Sequence, residues 1–331
     1  MDNNIMPKRG LTDLMISFLP GIRLHEKIIL LRSIKSEDDL FVQSKRDIEN
    51  LLNRALKTFW DISDIKEKAG RIDAICKMRS IKWVSWNSFE YPPLLSEMYD
   101  PPSVIYYRGV LPAARKSLLA MVGTRKPSQE AGEQAYKIAG NIARAGVSVI
   151  SGLAFGIDAM SHRGNLTGNI PGYAVLGCGI DEVYPASNKP LAKRILDSGG
   201  AIISEYPPGA PVGKWSFPAR NRIIAGLSRS VLVVEAPLKS GSLITAGFAL
   251  DMGRDLWVAS SGVQESPAYD RRGTIRLAND GAEVIESASD ILDRWESEVY
   301  FRQDLSKPLK SDLNNRSDLV ASMAELLKID I

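Results

Sequence analysis

The chain has 331 residues, of which 44% are hydrophobic and 24% are charged. This composition excludes a collagen-like chain, a coiled-coil rod and a largely disordered chain, and the length allows two domains. The formal net charge of +3 is compatible with a polyanionic ligand but does not by itself indicate one.

Cysteine and histidine are scarce, with only Cys76, Cys178, His25 and His162 in the whole sequence. Two distant cysteines favour a reducing compartment over a disulfide scaffold, and so few ligands argue against a structural zinc site. The first ten residues have no apolar segment typical of a secretory signal, and no run approaches the roughly 18 apolar residues of a membrane helix. We therefore expect a cytoplasmic protein with no metal and no cofactor.

The N-terminal quarter of the chain has a helical pattern. In residues 1–84, apolar residues recur at helical spacing, as in Leu24, Ile28 and Leu31, and this predicts a small all-helical domain. Residues 85–114 form a proline-containing connector in which the segment 105–107 predicts a short edge strand.

Short apolar runs alternate with helical segments across residues 115–297. The runs lie at 118–122, 147–150, 173–176, 201–203, 231–234 and 256–259, with a weaker one at 283–285. This alternation predicts an α/β fold, a Rossmann-like and doubly wound, mostly parallel sheet with helices on both faces. Strands covered on both faces are continuously apolar, as these are. Residues 298–331 are a polar tail ending in one short helix.

Small residues follow three of the predicted strands, at 123–125 (Gly-Thr-Arg), 151–156 and 177–179 (Gly-Cys-Gly). In an open α/β sheet, the ligand crevice lies at the carboxyl ends of the strands. Small residues let backbone N–H groups approach a ligand, and a following helix N-terminus favours an anion. Three such turns on one edge, with Arg125 beside the first, predict phosphate binding.

A fourth turn follows the fifth strand, where Lys239 precedes the helix caps Ser240 and Ser242. This segment is either an ordinary capped helix with a solvated lysine or a phosphate cradle of N–H groups, hydroxyls and one charge. It is not a Walker loop, because the Gly-x4-Gly-Lys-Ser/Thr spacing is missing.

Between Glu205 and Glu235 the chain has no acidic residue. The stretch contains Lys214, Trp215, Phe217, Arg220, Arg222 and Arg229. Guanidinium groups on phosphates and rings on bases are the contacts of a single-stranded nucleic acid site. Because Arg222 follows the start of a helix at the carboxyl edge, we expect its loss to weaken binding more than loss of Arg229.

Two carboxylate arrangements suit acid–base catalysis, Asp158 with His162 on one helix face and Glu205 with Glu235 at two strand ends. The commoner explanation of both arrangements is structural. Asp158 is then a helix-start carboxylate beside a structural histidine, and the two glutamates bond backbone or arginine. A Gly-x-Ser-x-Gly elbow is missing, and so is a Gly-x-Gly-x-x-Gly after any strand, because Glu182 stands at the third glycine position after Gly-Cys-Gly. We expect a non-catalytic protein; the alternative is a Rossmann-like nucleotide sensor or a nucleotide-processing enzyme.

At these residues the sequence resembles the DprA/Smf (DNA processing) family. The matching segments are VGTRKPS, SGLAFGIDAMSH, AVLGCGIDEVYPASN, ISEYPPG, FPARNRIIAGLS, VVEAPLKSGSLITA and GRDLWVASSG, within residues 85–285. The resemblance implies a Rossmann-like core that binds single-stranded DNA in a positively charged pocket. It further implies a homodimer through the late part of the core, and loading of a RecA-type recombinase during transformation and recombination.

The resemblance implies that the phosphate-contacting positions are Arg125, Lys189, Arg220, Arg222, Lys239 and Ser240. Together with the strand ends, the predicted DNA site also includes Gly123, Thr124, Ser151, Gly152, Phe155, Gly156, Gly177, Gly179, Asn188, Phe217, Asn221, Gly241 and Ser242. The sequence departs from the family pattern near the expected dimer surface, where Ser261 replaces the usual proline. The segment 271–282 also keeps only part of that pattern.

Overall fold

The computed structural model describes residues 10–58, 60–114, 117–213 and 215–296. The described chain begins with the helices α1 (Thr12–Phe18), α2 (Leu24–Ser33), α3 (Glu37–Val42), α4 (Lys45–Leu52) and α5 (Ile62–Met78). The side chains of Ser36, Ser44 and Asp61 accept first-turn N–H groups of α3, α4 and α5, which explains where these helices begin. The tail predicted at 298–331 lies outside the described residues.

The strands of the described chain form one sheet. They are β1 (Lys82–Ser85), β2 (Val104–Gly109), β3 (Leu118–Val122), β4 (Ser148–Ser151), β5 (Tyr173–Leu176), β6 (Ala201–Ser204), β7 (Ser230–Val233), β8 (Asp255–Ala259) and β9 (Glu283–Ile285). Their order is β1-β2-β6-β5-β4-β3-β7-β8-β9. The pairs β1–β2 and β2–β6 are antiparallel, and all the others are parallel. All seven apolar runs predicted as strands are therefore confirmed as β3 to β9.

The remaining helices of the described chain follow β1, and all but the last of them connect strands. They are α6 (Pro93–Ser96), α7 (Gln129–Arg144), α8 (Ile157–Asn165), α9 (Lys189–Asp197), α10 (Ser216–Leu227), α11 (Gly241–Asp251) and α12 (Arg272–Asn279), and a further helix covers residues 288–296. Helix α7 packs against α8, and α10 packs against α11. The predicted doubly wound α/β fold is confirmed. Among the described residues, no helix combines the length and apolar character needed to span a membrane.

The strand predicted at 105–107 exists as β2, but it does not lie at the edge of the sheet. Strand β1 pairs with it in antiparallel register, with Trp83 opposite Tyr106 and Val84 opposite Ile105. The sequence pattern missed β1 because this strand has only four residues and these are of mixed polarity. The edge is therefore β1, and β2 is buried between two neighbours.

Two apolar clusters cover the two faces of the sheet, and neighbouring residues of β6 show the division. Ile202 belongs to a cluster that includes residues of α1, α2, α4 and α5. Ile203 belongs to a second cluster with Ile223 of α10 and Ala246 of α11. Because successive side chains of a strand point to opposite faces, the N-terminal helices pack on the face opposite α10 and α11.

The strand order reverses at β3. Strands β4, β5 and β6 lie in sequence on one side of β3, whereas β7, β8 and β9 lie on the other. The loops after β3 and β7 are in contact, since the backbone N–H of Thr124 donates to the carbonyl of Glu235 at 2.7 Å. A ligand crevice in an open α/β sheet forms outside the carboxyl ends of the strands at such a reversal.

Candidate functional site

Four cationic side chains of the described chain are exposed at the carboxyl edge of the sheet. Arg125 and Lys126 follow β3, Lys189 begins α9, and Lys239 precedes α11. In the part of the chain that the structure describes, none of the four forms an ion pair with a carboxylate. Their charges are therefore available to an anionic ligand.

Aromatic rings occur on the loops and the helix start at the same edge of the sheet. The exposed fractions of Phe155, Tyr184 and Trp215 are 49%, 46% and 69%. The ring of Tyr184 is 5.4 Å from that of Phe217, centroid to centroid, and the Arg125 guanidinium is 5.9 Å from the Phe217 centroid. Exposed rings next to a cation offer stacking surfaces for bases beside a contact for phosphate.

The start of α11 has a capped first turn. The hydroxyl of Ser240 accepts the backbone N–H of Ser242 at 3.2 Å, and the two hydroxyls lie 2.6 Å apart. First-turn N–H groups of a helix have no intrahelical partner, and together with the helix dipole they favour an anion. Gly241 is exposed, and the nearest atom to a Cβ built there is the side-chain nitrogen of Asn221 at 3.8 Å.

The other predicted glycines pack against the chain itself. A Cβ on Gly123 would lie 2.6 Å from the Ile157 side chain, and one on Gly156 would lie 2.7 Å from the carbonyl carbon of Arg125. Gly152, Gly177 and Gly179 are similarly blocked by neighbouring protein atoms. Close packing of the loops therefore explains these five glycines without a ligand, and only Gly241 among the predicted glycines borders open space.

Arg220, which the sequence placed among the phosphate contacts, is buried. One of its terminal nitrogens donates to the carbonyl of Gly152 at 2.7 Å and to that of Val175, and its Nε donates to the side-chain oxygen of Asn221 at 3.0 Å. The Asn221 amide nitrogen donates in turn to the carbonyl of Gly241 at 2.9 Å. The side chains of Arg220 and Asn221 are thus bonded within the protein, and a DNA contact by either stays a prediction.

Arg222 is also bonded internally. One terminal nitrogen lies 2.6 Å from both carboxylate oxygens of Glu205, and the other donates to the carbonyl of Asp100 at 2.9 Å. Only 4% of the Arg222 residue is exposed. A phosphate could reach this guanidinium only by displacing Glu205, so the position predicted from the sequence does not give an open contact.

Two further predicted site residues shape the loop after β4. The hydroxyl of Ser151 donates to the carbonyl of Met121 at 2.6 Å. The buried amide of Asn188 donates to the carbonyls of Leu153 and Ala154 at 2.9 and 3.2 Å. Both side chains hold backbone, and neither is exposed at the edge.

The two carboxylate arrangements have the structural roles favoured by the sequence. Asp158 accepts the backbone N–H groups of Gly152 and Ala154, and burial raises the pKa of its carboxyl. His162 is fully buried without a hydrogen-bond partner among the described residues, and burial lowers its pKa to about 3. Neither group reaches an exposed surface, so this pair offers no acid–base site to a substrate.

Glu235 has a structural role as well. Its carboxylate accepts the backbone N–H of Ser128 at 3.1 Å and the Ser128 hydroxyl at 2.7 Å. The guanidinium of Arg271 approaches it at 3.9 Å and donates to the same hydroxyl at 3.0 Å. Glu235 thus fixes the end of the loop that carries Arg125.

No cluster of potential metal ligands occurs within the described ranges.

Sequence reasoning missed several residues at this edge. Lys126 follows Arg125 directly, and the sequence alone does not show that its side chain is exposed. Tyr184 and Tyr206 follow β5 and β6, and aromatic residues after strand ends are the signal that identifies them. The ring of Tyr206 packs edge-on against Trp215 at 5.9 Å between centroids. Lys214, named from the sequence, lies outside the described residues.

Comparison with known proteins identifies the family. Residues 82–296 match the family model described as DNA recombination-mediator protein A. The chain belongs to the DprA/Smf family. The match begins at the first residue of β1, so the DprA/Smf region includes the antiparallel pair as well as the parallel sheet.

Curated DprA/Smf proteins align over much of this chain. Protein Smf of Synechocystis sp. is 44% identical over 207 residues, covering 61% of this chain and 51% of its own length. Protein Smf of Borreliella burgdorferi is 33% identical over 252 residues, covering 75% and 77% respectively. The chain thus spans about half the length of the first relative and three quarters of the second.

Solved structures show the same relationship. DNA processing protein A of Streptococcus pneumoniae has a TM-score of 0.67 at 31% identity, covering 85% of this chain and 95% of that protein. The Helicobacter pylori DNA processing protein A has a TM-score of 0.57 at 26% identity, covering 66% and 96%. The H. pylori protein is described as having a unique single-stranded DNA binding mode.

Proposed function

We propose that this DprA/Smf protein is a DNA-processing protein that binds single-stranded DNA along the carboxyl edge of its sheet. The observation that carries the proposal is the group of four exposed cations, Arg125, Lys126, Lys189 and Lys239, without acidic partners in the described chain. The relationship to a protein described by its single-stranded DNA binding mode supports it.

The aromatic rings favour a single strand over a duplex. Phe155, Tyr184 and Trp215 are exposed, and bases are free to stack on such rings only when they are unpaired. Stacking is tolerant of sequence, because every base has a π face. The site therefore binds single strands of different sequence with similar affinity.

The protein acts without catalytic turnover in this proposal. The carboxylates and the histidine considered for catalysis are bonded internally or fully buried. We place it in the cytoplasm, where it acts as a homodimer that protects incoming DNA and loads a RecA-type recombinase in transformation and recombination. The description of the matching family model, a recombination-mediator protein, supports the recombinase step.

The first test is the salt dependence of binding. Each phosphate contacted on a single strand contributes roughly −0.7 to the slope of log K against log salt. With three to four of the edge cations engaged, we expect a slope of about −2 to −3 for a fluorescein-labelled oligonucleotide measured by anisotropy. A matched duplex should bind more weakly, and a slope near zero for the single strand would contradict binding by these cations.

Removal of single cations tests the site itself. We expect Arg125→Ala and Lys239→Ala each to weaken single-strand binding by about 1–3 kcal/mol, the range for a charge-assisted hydrogen bond. The thermal unfolding midpoint should stay nearly unchanged, because both side chains are exposed and have no ion-pair partner among the described residues.

The matched control is Lys137→Ala. Lys137 is also exposed, but it lies two turns along α7 and pairs with Glu133. Anisotropy with one labelled oligonucleotide compares the three variants. Equal affinities for Arg125→Ala, Lys239→Ala and Lys137→Ala would show that the DNA does not lie on the carboxyl edge.

A further inference from the structure

Three consecutive side chains in the middle of α10 each bond a different loop of the carboxyl edge. We call Arg220, Asn221 and Arg222 the polar triad. We infer that the polar triad sets the relative positions of loops that carry edge cations and aromatic rings, and so controls single-stranded DNA binding without touching the DNA. The inference rests on the proposed function and assigns positioning roles at that same site.

Arg220 holds the loop after β4. It donates to the carbonyl of Gly152, while Asp158 accepts the N–H groups of Gly152 and Ala154 from the other side. The loop is therefore fixed through both its carbonyl and its amides. Four residues after Gly152, Gly156 packs so closely against the backbone of Arg125 that a Cβ would lie 2.8 Å from the Arg125 Cα. The position of the Arg125 backbone thus depends on a loop that Arg220 holds.

Asn221 holds the start of α11. Its amide nitrogen donates to the carbonyl of Gly241 at 2.9 Å, and its oxygen accepts Nε of Arg220 at 3.0 Å. Gly241 is the first residue of α11 and lies two positions after Lys239. Asn221 therefore connects the arginine that holds one loop to the helix end that carries another cation.

Arg222 holds the loop after β6. It pairs with Glu205, and its other terminal nitrogen bonds the carbonyl of Asp100 in the connector before β2. Tyr206 follows Glu205 directly and packs against Trp215. The third member of the triad therefore fixes a loop that carries part of the aromatic surface.

The arrangement follows from helix geometry. Successive residues of an α-helix point about 100° apart, so three neighbours in the middle of α10 reach loops in three directions. All three residues are at least nine-tenths buried, at 6%, 9% and 4% exposure. A buried guanidinium or amide that loses its acceptor carries a desolvation penalty, so each bond strongly favours one loop position.

The test is a double-mutant cycle built on Asn221. Asn221 is chosen because it bonds the carbonyl of Gly241, which is only two residues from the edge cation Lys239. Asn221→Ala is combined separately with Lys239→Ala and with Lys189→Ala, and single-strand dissociation constants are measured by anisotropy. We expect Asn221→Ala alone to weaken binding by about three- to ten-fold, as for a coupled positioning residue. In the Lys239→Ala background, Asn221→Ala should raise the dissociation constant by less than about twofold. In the Lys189→Ala background, it should raise the dissociation constant by the same factor as it does in the wild type.

Asn165→Ala is the matched control for stability. Asn165 is also buried, at 1% exposure against 9% for Asn221, and it also bonds backbone, accepting from Val149 N–H at 2.8 Å and donating to the Ile170 carbonyl at 3.2 Å. These bonds lie at the C-terminal end of α8, away from the site loops. We expect Asn165→Ala to lower the unfolding temperature as Asn221→Ala does and to leave the dissociation constant unchanged.

Several outcomes separate the alternatives. If Asn221→Ala and Asn165→Ala both leave the dissociation constant unchanged, the triad is merely structural. If Asn221→Ala weakens binding by the same factor in the Lys239→Ala and Lys189→Ala backgrounds, Asn221 does not act through Lys239. Either result overturns the inference while the proposed function stands; wild-type protein that does not bind single strands overturns the proposed function instead.

A second variant covers the case in which Asn221→Ala does not fold. Asn221→Leu keeps the size of the side chain and removes both hydrogen bonds. The hydrogen-exchange rates of the wild type and the variant then report directly how firmly the start of α11 is held. We expect faster exchange at the first-turn amides 242–244 of α11 and unchanged exchange in α5; equal rates at 242–244 would contradict the positioning role.

Discussion

Arg222→Ala is expected to lower the free energy of unfolding by about 3 kcal/mol. The Arg222 guanidinium is buried and lies 2.6 Å from both oxygens of the Glu205 carboxylate, which is itself 15% exposed at its side chain. Removing one partner of a buried pair leaves the other charge uncompensated, and that penalty exceeds the net contribution of the pair. The carbonyl of Asp100 loses its donor as well.

Urea unfolding followed by circular dichroism measures this loss, with Arg276→Ala as the control. Arg276 also pairs with a carboxylate, Asp280 at 3.4 Å, but its side chain is 71% exposed. An exposed pair contributes at most about 1 kcal/mol, so the two arginine variants should differ clearly. Similar losses for both would mean that the Arg222–Glu205 pair is solvated in solution.

The contrast between Arg222 and Arg229 shows what sequence could and could not predict about the site. The sequence placed Arg229 before a strand, toward the amino edge of the sheet. The structure agrees, since its backbone N–H donates to the carbonyl of Leu118, the first residue of β3. The sequence also placed Arg222 near the carboxyl edge, but it could not show that Glu205 and Asp100, 17 and 122 residues away along the chain, bond that guanidinium.

Strand positions were predictable for a physical reason. Strands buried on both faces of a parallel sheet are continuously apolar, and runs such as 118–122 and 173–176 are fully buried in β3 and β5. The strand β1 lacks this property, because Lys82 is exposed and the strand exists only through its antiparallel partner β2. Local pattern therefore predicted the parallel core and missed the strand that depends on a distant neighbour.

Exposure was the unpredictable part of the site. Parallel topology places the carboxyl ends of β3 to β9 on one edge, so the residues at that edge could be named from the sequence. Which of them face solvent depends on the acceptors around them. Arg125 has no carboxylate partner in the described chain, whereas Arg220 is buried against the carbonyls of Gly152 and Val175.

The second large effect is expected for Gly152→Ala. A Cβ on Gly152 would lie 2.5 Å from the guanidinium carbon of Arg220, closer than real Cβ atoms approach other atoms. The guanidinium cannot move aside without breaking its bonds to the carbonyls of Gly152 and Val175 in a buried site. Overpacking together with a buried donor that loses its acceptor predicts a loss of about 3 kcal/mol in unfolding free energy.

Gly247→Ala is the control, and the opposite sign is expected. Gly247 lies in the interior of α11 and is exposed, and apart from the adjoining residues and the backbone of the helix itself, no described atom lies within 4 Å of a Cβ built there. Alanine has the higher helix propensity, so this variant should gain about 0.5–1 kcal/mol in urea unfolding. Substitution by alanine thus distinguishes Gly152, which the buried Arg220 requires, from Gly247, which no neighbouring side chain requires. If Gly152→Ala unfolds like wild type, Arg220 does not pack under the loop after β4 in solution, and the polar triad loses its first contact.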